Sequence, residues 1–546
     1  ILNSKRFQPT EPRDGLELHI EEDAPKVEQE LNRTTLKSIY LAFAELVNQL
    51  AESAIQISNL HFLCESALLK GKANEHADVL KWLQEEIQIP FRSSLVNLPL
   101  VQTESGLKKI SECKFPEFSN VDGKHKIFYS ICKGLFNDSV PTENCYEDWL
   151  SIISGDSKTW GEGLLLELEE LVSLVRSKQE LKNFTEFETE TETIQWLNSL
   201  YEFLIVNTKT DLFKHEIIPN QEGKLCKASE LNLDLGIPSE IKDIAKTFAL
   251  EYRSKLSDKR IICSEISKQI SVEDVSKELN AKIGALTQGI NPKTGQHQIT
   301  DAVKTSLIQL CCIFSDAATN DKRRKVLTRL KEFHPSIDLT SSLIPESKDF
   351  EFTSAIKCLT KYSLLQLSFI ASIEKLKEQL QHDDESKTIT WLNLLLLEIN
   401  DNSDLNDFLN HFGVFPNQEK AFALKSNLSR DIDIVEELLK GIYSKLYPND
   451  QIKKRLLLDG IGVYPDSKVT LEEIARKIDN GIKEKHNDTS YPDIKSIVLQ
   501  MVSWCKANQE KATQFFTWLE SNKALLVLQT IEGDNAQQDI FRILQS

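Results

Sequence analysis

The sequence predicts a mainly helical protein, a multi-unit helical array with an internal duplication and short β-hairpins at two Pro-Asn-Gln-Glu turns. Three observations carry that expectation. Glycine and proline are scarce, 19 and 16 in 546 residues, about half the usual share of roughly 12%, and few breakers favour long uninterrupted elements. Apolar residues recur at the helical period over long stretches. Four short landmarks occur twice, in the same order and at near-constant spacing.

The clearest helix spans about Val27 to Ala51, where Leu36, Ile39, Tyr40, Phe43, Leu46, Val47 and Leu50 fall on one face. Gly163 to Lys182 reads as a second, with acidic residues early and basic ones late, as the helix dipole prefers. The repeated landmarks begin with TIQWLN at Thr193 to Asn198, which returns as TITWLN at Thr388 to Asn393. Each follows a polar run, so the Thr is expected to cap a helix whose Trp and Leu enter the core. IPNQE around Pro219 returns as FPNQE around Pro416, each turn flanked by apolar residues as a small hairpin requires. SVEDV at Ser271 matches TLEEI at Thr470, and VKTSLIQL at Val303 matches IKSIVLQM at Ile494. The last pair is spaced more closely, which a longer Ile290–His297 loop in the first copy explains. In these late helices Cys311 stands where the other has Val502, which makes it a core-packing residue. The expected organisation is residues 1–20 as a connector from an upstream domain, 21–162 as a helical segment, and 163–360 and 361–546 as two repeat units.

The charge balance narrows function. A formal net charge of −18 disfavours a general nucleic-acid or anionic-membrane surface, which needs clustered Lys and Arg. Ten cysteines without a C-x-x-C pair read as reduced thiols in a cytoplasmic protein. The apolar run around Trp391 to Ile399 is too short to span a bilayer. The chain opens on Ile1 and its one methionine is Met501, so it is expected to be part of a longer protein. His382-Asp383-Asp384-Glu385 and the alternating Glu186, Glu188, Glu190 and Glu192 read as solvated runs before helices, not as metal sites. Neither a phosphate-cradling glycine loop nor a nucleophile elbow occurs. No catalytic residue, cofactor or metal is therefore expected in this chain, and a protein is its expected partner. One basic patch, Lys322, Arg323, Arg324, Lys325, Arg329 and Lys331, is a candidate partner-binding surface; a nucleic-acid-associated factor using Lys322–Lys331 is one alternative, and a stand-alone helical scaffold another.

The opening ILNSKRFQPTEPRDG (Ile1 to Gly15), PLVQTESG (Pro99 to Gly106) and the two Pro-Asn-Gln-Glu units resemble the region downstream of the ATPase domain in bacterial sacsin-like proteins. Those are large proteins with an N-terminal ATPase of the gyrase, chaperone and histidine-kinase type. The resemblance implies that ATP and Mg bind on a missing upstream domain. This chain has Asp479-Asn480-Gly481 but no Asp-x-Gly-x-Gly turn, so it is not expected to hold the nucleotide itself. It further implies γ-phosphate sensing by a basic residue just past the nucleotide domain, for which Lys5, Arg6 and Arg13 are the candidates. The function implied is a non-catalytic partner- or client-binding region of a chaperone-like ATPase, linked to bacterial defence against phage.

Overall fold

A computed structural model of the chain describes residues 5–9, 15–20, 27–52, 59–64, 77–119, 121–155, 160–161, 163–312, 321–337, 353–485, 494–508 and 510–511. The described residues are mainly helical, with short strands gathered into two-stranded sheets. Two compact units divide the chain. One holds Ile1–Leu235 and Tyr252–Ile270, the other Gly236–Glu251 and Ser271–Ser546.

In the first unit the Val27–Glu52 helix forms where its apolar spacing places it. It buries Leu36 and Val47, while Leu46 of the expected face points to solvent. Val47 joins a core with Phe91, Leu95, Leu100, Phe115 and Trp149. Over that core lies a hairpin the sequence reading did not assign, Pro99–Thr103 against Gly106–Lys109. Gly106 sits at φ 116 and closes its two-residue turn.

A second core in this unit surrounds the Glu190–Val206 helix, whose Leu197, Leu200, Tyr201 and Leu204 are fully buried. Trp196 is buried too, and its indole N–H donates to the Ile131 carbonyl of the Lys124–Phe136 helix at 2.7 Å. That approach depends on Gly134, because a Cβ there would lie 2.6 Å from the Trp196 ring. Two expectations are corrected here. The helix expected over Gly163 to Lys182 runs from Leu168 to Lys178: Leu165–Leu166 pair instead in parallel with Phe115–Pro116, and Gln179, at φ 63, ends the helix. Nor does Thr193 cap its helix. Thr189 does, accepting from the Glu192 amide while the Glu192 carboxylate accepts from the Thr189 amide. Thr193 lies one turn in, buried, its hydroxyl on the Thr189 carbonyl.

In the second unit the Val272–Gly289 and Asp301–Cys312 helices pack on Thr353–Ile370. Leu307 and Leu310 take the core, and Cys311, expected to pack inside, is half-buried at the helix end. The Asp321–Phe333 helix packs on Glu385–Asn400, and Trp391 donates to the Arg329 carbonyl at 3.1 Å. Asp384 caps Glu385–Asn400 in place of the expected Thr388, which is buried inside the first turn. A further core gathers Leu439, Ile442, Leu446, Ile474, Ile478 and Ile482.

Both Pro-Asn-Gln-Glu turns close the hairpins expected of them. Ile218–Pro219 pairs antiparallel with Leu225–Cys226, and Phe415–Pro416 with Phe422–Ala423. The asparagines are buried and wired alike. Asn220 Oδ1 accepts from the Glu222 and Lys224 amides, and its Nδ2 donates to the Ser254 carbonyl. Asn417 Oδ1 accepts from the Glu419 and Ala421 amides, and its Nδ2 donates to the Lys454 carbonyl. The last residue of each Trp-Leu-Asn piece also acts alike: Asn198 Oδ1 accepts from the Ile262 amide and Asn393 Oδ1 from the Gly462 amide.

Candidate partner-binding surface

The basic patch is the outer face of an amphipathic helix. Within Asp321–Phe333, Val326, Leu327 and Leu330 are buried, while Arg324, Lys325 and Lys331 are exposed and Arg323 is half-exposed. The side chain of Lys322 lies outside the described residues. Arg329 belongs to the packing side. Its Nε donates to Glu398 Oε1 at 3.0 Å, and burial outweighs this cation, holding the Glu398 carboxyl above its ordinary pKa.

Lys5 and Arg6 are exposed on a stretch tied to the Val27–Glu52 helix through Asn32, which donates to the Gln8 carbonyl and accepts from the Gln8 amide. Arg13 lies outside the described residues. The acidic runs have local work. Glu186 pairs with Lys178 at 2.6 Å, Glu190 pairs with Arg260, and Glu192 completes the helix cap. His382 is buried, its Nδ1 facing Thr388 Oγ1 at 3.1 Å and its Nε2 facing Glu332 at 3.2 Å.

A second surface lies on the loop that enters the Glu437–Leu446 helix, and sequence reasoning missed it. Ile432, Ile434 and Leu438 expose 42%, 69% and 39% of their surface. Ile434 holds φ 51, left-handed backbone that costs an ordinary L-residue roughly 1–2 kcal/mol and is exceptional for a β-branched one. Three residues before the Ser239–Thr247 helix the chain also takes a positive φ, with Gly236 at 85°. There a glycine supplies the positive φ; at 434 an exposed isoleucine does.

The loop is held from beneath. Asp431 accepts from the Val435 amide through both carboxylate oxygens, at 2.9 and 3.1 Å. It also meets Lys440 Nζ at 3.0 Å, with both side chains almost fully buried. Asp433 accepts from the Leu471 amide at 2.7 Å. A buried pair of this kind contributes little net stability, whereas loss of one partner leaves an uncompensated charge, so its effect is to fix the loop in one shape. Beside the loop the Arg430 guanidinium lies 3.7 Å over the ring of exposed Tyr464. Rigid apolar side chains next to Arg and Tyr make up the residue set enriched at protein interfaces. The sequence signal was slight: DIDIV places a β-branched residue in a turn that needs a left-handed one.

Among the described residues no group of three or more His, Cys, Asp and Glu stands close enough to hold a metal ion, and no helix is long and apolar enough to cross a membrane. No protein-family model, no curated protein and no solved structure matches the chain.

Proposed function

We propose that this chain is a protein-binding region, and that its partner docks on the Ile432–Leu438 loop. The observation that carries the reading is Ile434, an exposed β-branched side chain held in left-handed backbone over a buried Asp431–Lys440 pair. Strain kept at an exposed apolar position is what selection for binding leaves behind, since folding alone gains nothing from it. We further infer that the stretches around Asn220 and Asn417 are two copies of one unit, which the matching hydrogen bonds and the repeated landmarks support.

The sacsin-like resemblance extends this to a wider proposal: a non-catalytic output region of a chaperone-like ATPase whose ATP and Mg site lies on a segment ahead of Ile1. A bacterial cytoplasmic setting and a part in defence against phage rest on the same resemblance.

Site-specific photocrosslinking in cells tests the docking surface. A photoreactive residue at Leu438 or Tyr464 is expected to capture one discrete protein, and the same residue at exposed Val206 (66%) is not. Equal or absent capture at the three positions would remove the loop as the docking surface. The coding sequence ahead of Ile1 tests the wider proposal, which requires an Asp-x-Gly-x-Gly turn there.

A further inference from the structure

The hairpin that begins at Pro99 opens a sequence of main-chain bonds that occurs twice more. Pro99–Thr103 pairs with Gly106–Lys109, Ile218–Pro219 with Leu225–Cys226, and Phe415–Pro416 with Phe422–Ala423. One short helical turn follows each hairpin, at Ile110–Glu112, Ala228–Glu230 and Lys425–Asn427. At the same spacing after each turn comes a two-residue strand in a parallel pair. Phe115–Pro116 pairs with Leu165–Leu166, Leu233–Asp234 with Gln269–Ile270, and Arg430–Asp431 with Lys468–Val469. The bonds of these pairs agree donor for donor. The amides of Phe115, Leu233 and Arg430 donate to the carbonyls of Leu164, Lys268 and Ser467, and those of Glu117, Leu235 and Ile432 to Leu166, Ile270 and Val469.

Between each hairpin and its short strand lies a slot, and an extended segment of the chain fills it. The segments are Ser139–Thr142, Lys255–Asp258 and Arg455–Leu458. On the hairpin side the amides of Thr142, Asp258 and Leu458 donate to the carbonyls of Gln102, Pro219 and Pro416. On the other side the carbonyls of Ser139, Lys255 and Arg455 accept from the amides of Lys114, Asn232 and Ser429. The second residue of each segment, Val140, Leu256 or Leu456, is aliphatic and buried. Their remaining residues differ: Ser-Val-Pro-Thr, Lys-Leu-Ser-Asp and Arg-Leu-Leu-Leu. The slot therefore reads backbone and one aliphatic side chain, as strand addition to a sheet edge does.

One bond departs from the pattern, for a covalent reason. Ser257 and Leu457 donate to the carbonyls of Asn232 and Ser429. The first segment has Pro141 at that place, and proline carries no N–H. At the hairpin turn, buried Thr103 stands where the other two bury Asn220 and Asn417. The Pro-Asn-Gln-Glu landmark is therefore missing from the first hairpin, although the main-chain bonds are present.

We propose that Pro99–Leu166 is a third instance of the unit around Asn220 and Asn417, and that the unit is a strand-accepting slot for an extended segment with an aliphatic second residue. The proposal extends the likeness of those two stretches and is independent of the Ile432–Leu438 loop. It makes the third place of the segment indifferent to the presence of an amide, and the fourth place dependent on one.

Hydrogen exchange of the full chain, read by mass spectrometry, tests both statements. Pro141→Ser supplies an N–H where Ser257 and Leu457 have theirs, so the peptide over 139–142 should gain one slowly exchanging amide. Ser257→Pro removes only the bond that the first segment already lacks, and the rest of Lys255–Asp258 should stay protected. Asp258→Pro removes the bond that all three segments make, and the same segment should exchange about tenfold faster. A freely exchanging amide at position 141 takes Pro99–Leu166 out of the set and overturns the proposal, while leaving the likeness of the Asn220 and Asn417 stretches in place. Equal losses of protection in Ser257→Pro and Asp258→Pro overturn it as well. Should Pro141→Ser unfold, the comparison of the two proline variants decides.

Discussion

The regions around Asn220 and Asn417 share one hydrogen-bond plan and differ in what is laid over it. Each buries an asparagine that spends its whole amide on backbone, in the turn and in the segment crossing it. Side chains around the shared plan differ. Gln221 Nε2 donates to Asp234 Oδ2 at 2.8 Å, whereas neither polar atom of the buried Gln418 amide has a partner among the described residues. The carboxylate that follows each turn meets a lysine, Asp234 with Lys259 at 3.4 Å and Asp431 with Lys440 at 3.0 Å. Bonds to main-chain groups do not depend on the identity of the partner residue, whereas side-chain pairs do. The features that recur report the fold, and those that differ are where function is to be sought.

The largest expected effect breaks the shared plan. Trp196→Ala and Trp391→Ala each remove a buried indole and its bond to a neighbouring helix carbonyl, at 2.7 and 3.1 Å. Each should lower unfolding stability by about 3–5 kcal/mol, read from urea denaturation. Trp196 should sit near the top of that range, because Gly134 is pressed against its ring and a helix backbone cannot collapse into the void. A loss under about 1 kcal/mol at either site would show that the indole is not a core residue there.

A second experiment separates the two regions by pH. The helix that receives Trp391 is followed by His334, buried, with Nε2 2.9 Å from Ser363 Oγ. The helix that receives Trp196 is followed by exposed Asn137. Burial, with a smaller contribution from Lys304, lowers the His334 pKa to about 4 from an ordinary 6.5. The folded state therefore resists a proton that the unfolded chain accepts. The stability this contributes is complete above pH 6.5 and is lost as pH falls from there towards 4. The loss should reach about 2–3 kcal/mol. Urea titrations at pH 7 and pH 4.5 should show a smaller acid loss in His334→Gln than in the wild type, and equal losses would place His334 in contact with water.

Much of this fold was legible in the sequence, and what was missed has physical causes. The two hairpins stood out because turn residues sit between apolar ones, and the Val27–Glu52 helix because its period is long. The parallel pairs Leu233–Asp234 with Gln269–Ile270 and Arg430–Asp431 with Lys468–Val469 are two residues long, too short to carry any period. The helix cap was misplaced although TETETIQW holds the answer: only Thr189 has a glutamate three residues on, the capping-box spacing. The basic residues of the Asp321–Phe333 helix lie close together in sequence, so the cluster was legible. That Arg329 turns inward to Glu398 depends on a residue 69 positions away. Ile434 was invisible for a different reason: left-handed backbone is signalled by Gly or Asn, and here neither is present.

The smallest effect in stability sharpens the comparison most. Ile434→Gly introduces the residue type that Gly236 supplies three residues before the Ser239–Thr247 helix. It relieves roughly 1–2 kcal/mol of left-handed strain and loses about 0.5–1 kcal/mol to the greater freedom of glycine in the unfolded chain. The net change should be a gain of about 1 kcal/mol or less, visible as an unchanged or slightly raised Tm. If the loop binds a partner, the same variant should lose capture at Leu438 while remaining at least as stable as the wild type. A protein that gains stability and loses binding from one substitution carries that side chain for its partner. Should Ile434→Gly instead unfold more readily and bind as before, the isoleucine is a packing residue, and the two regions differ in stability rather than in function.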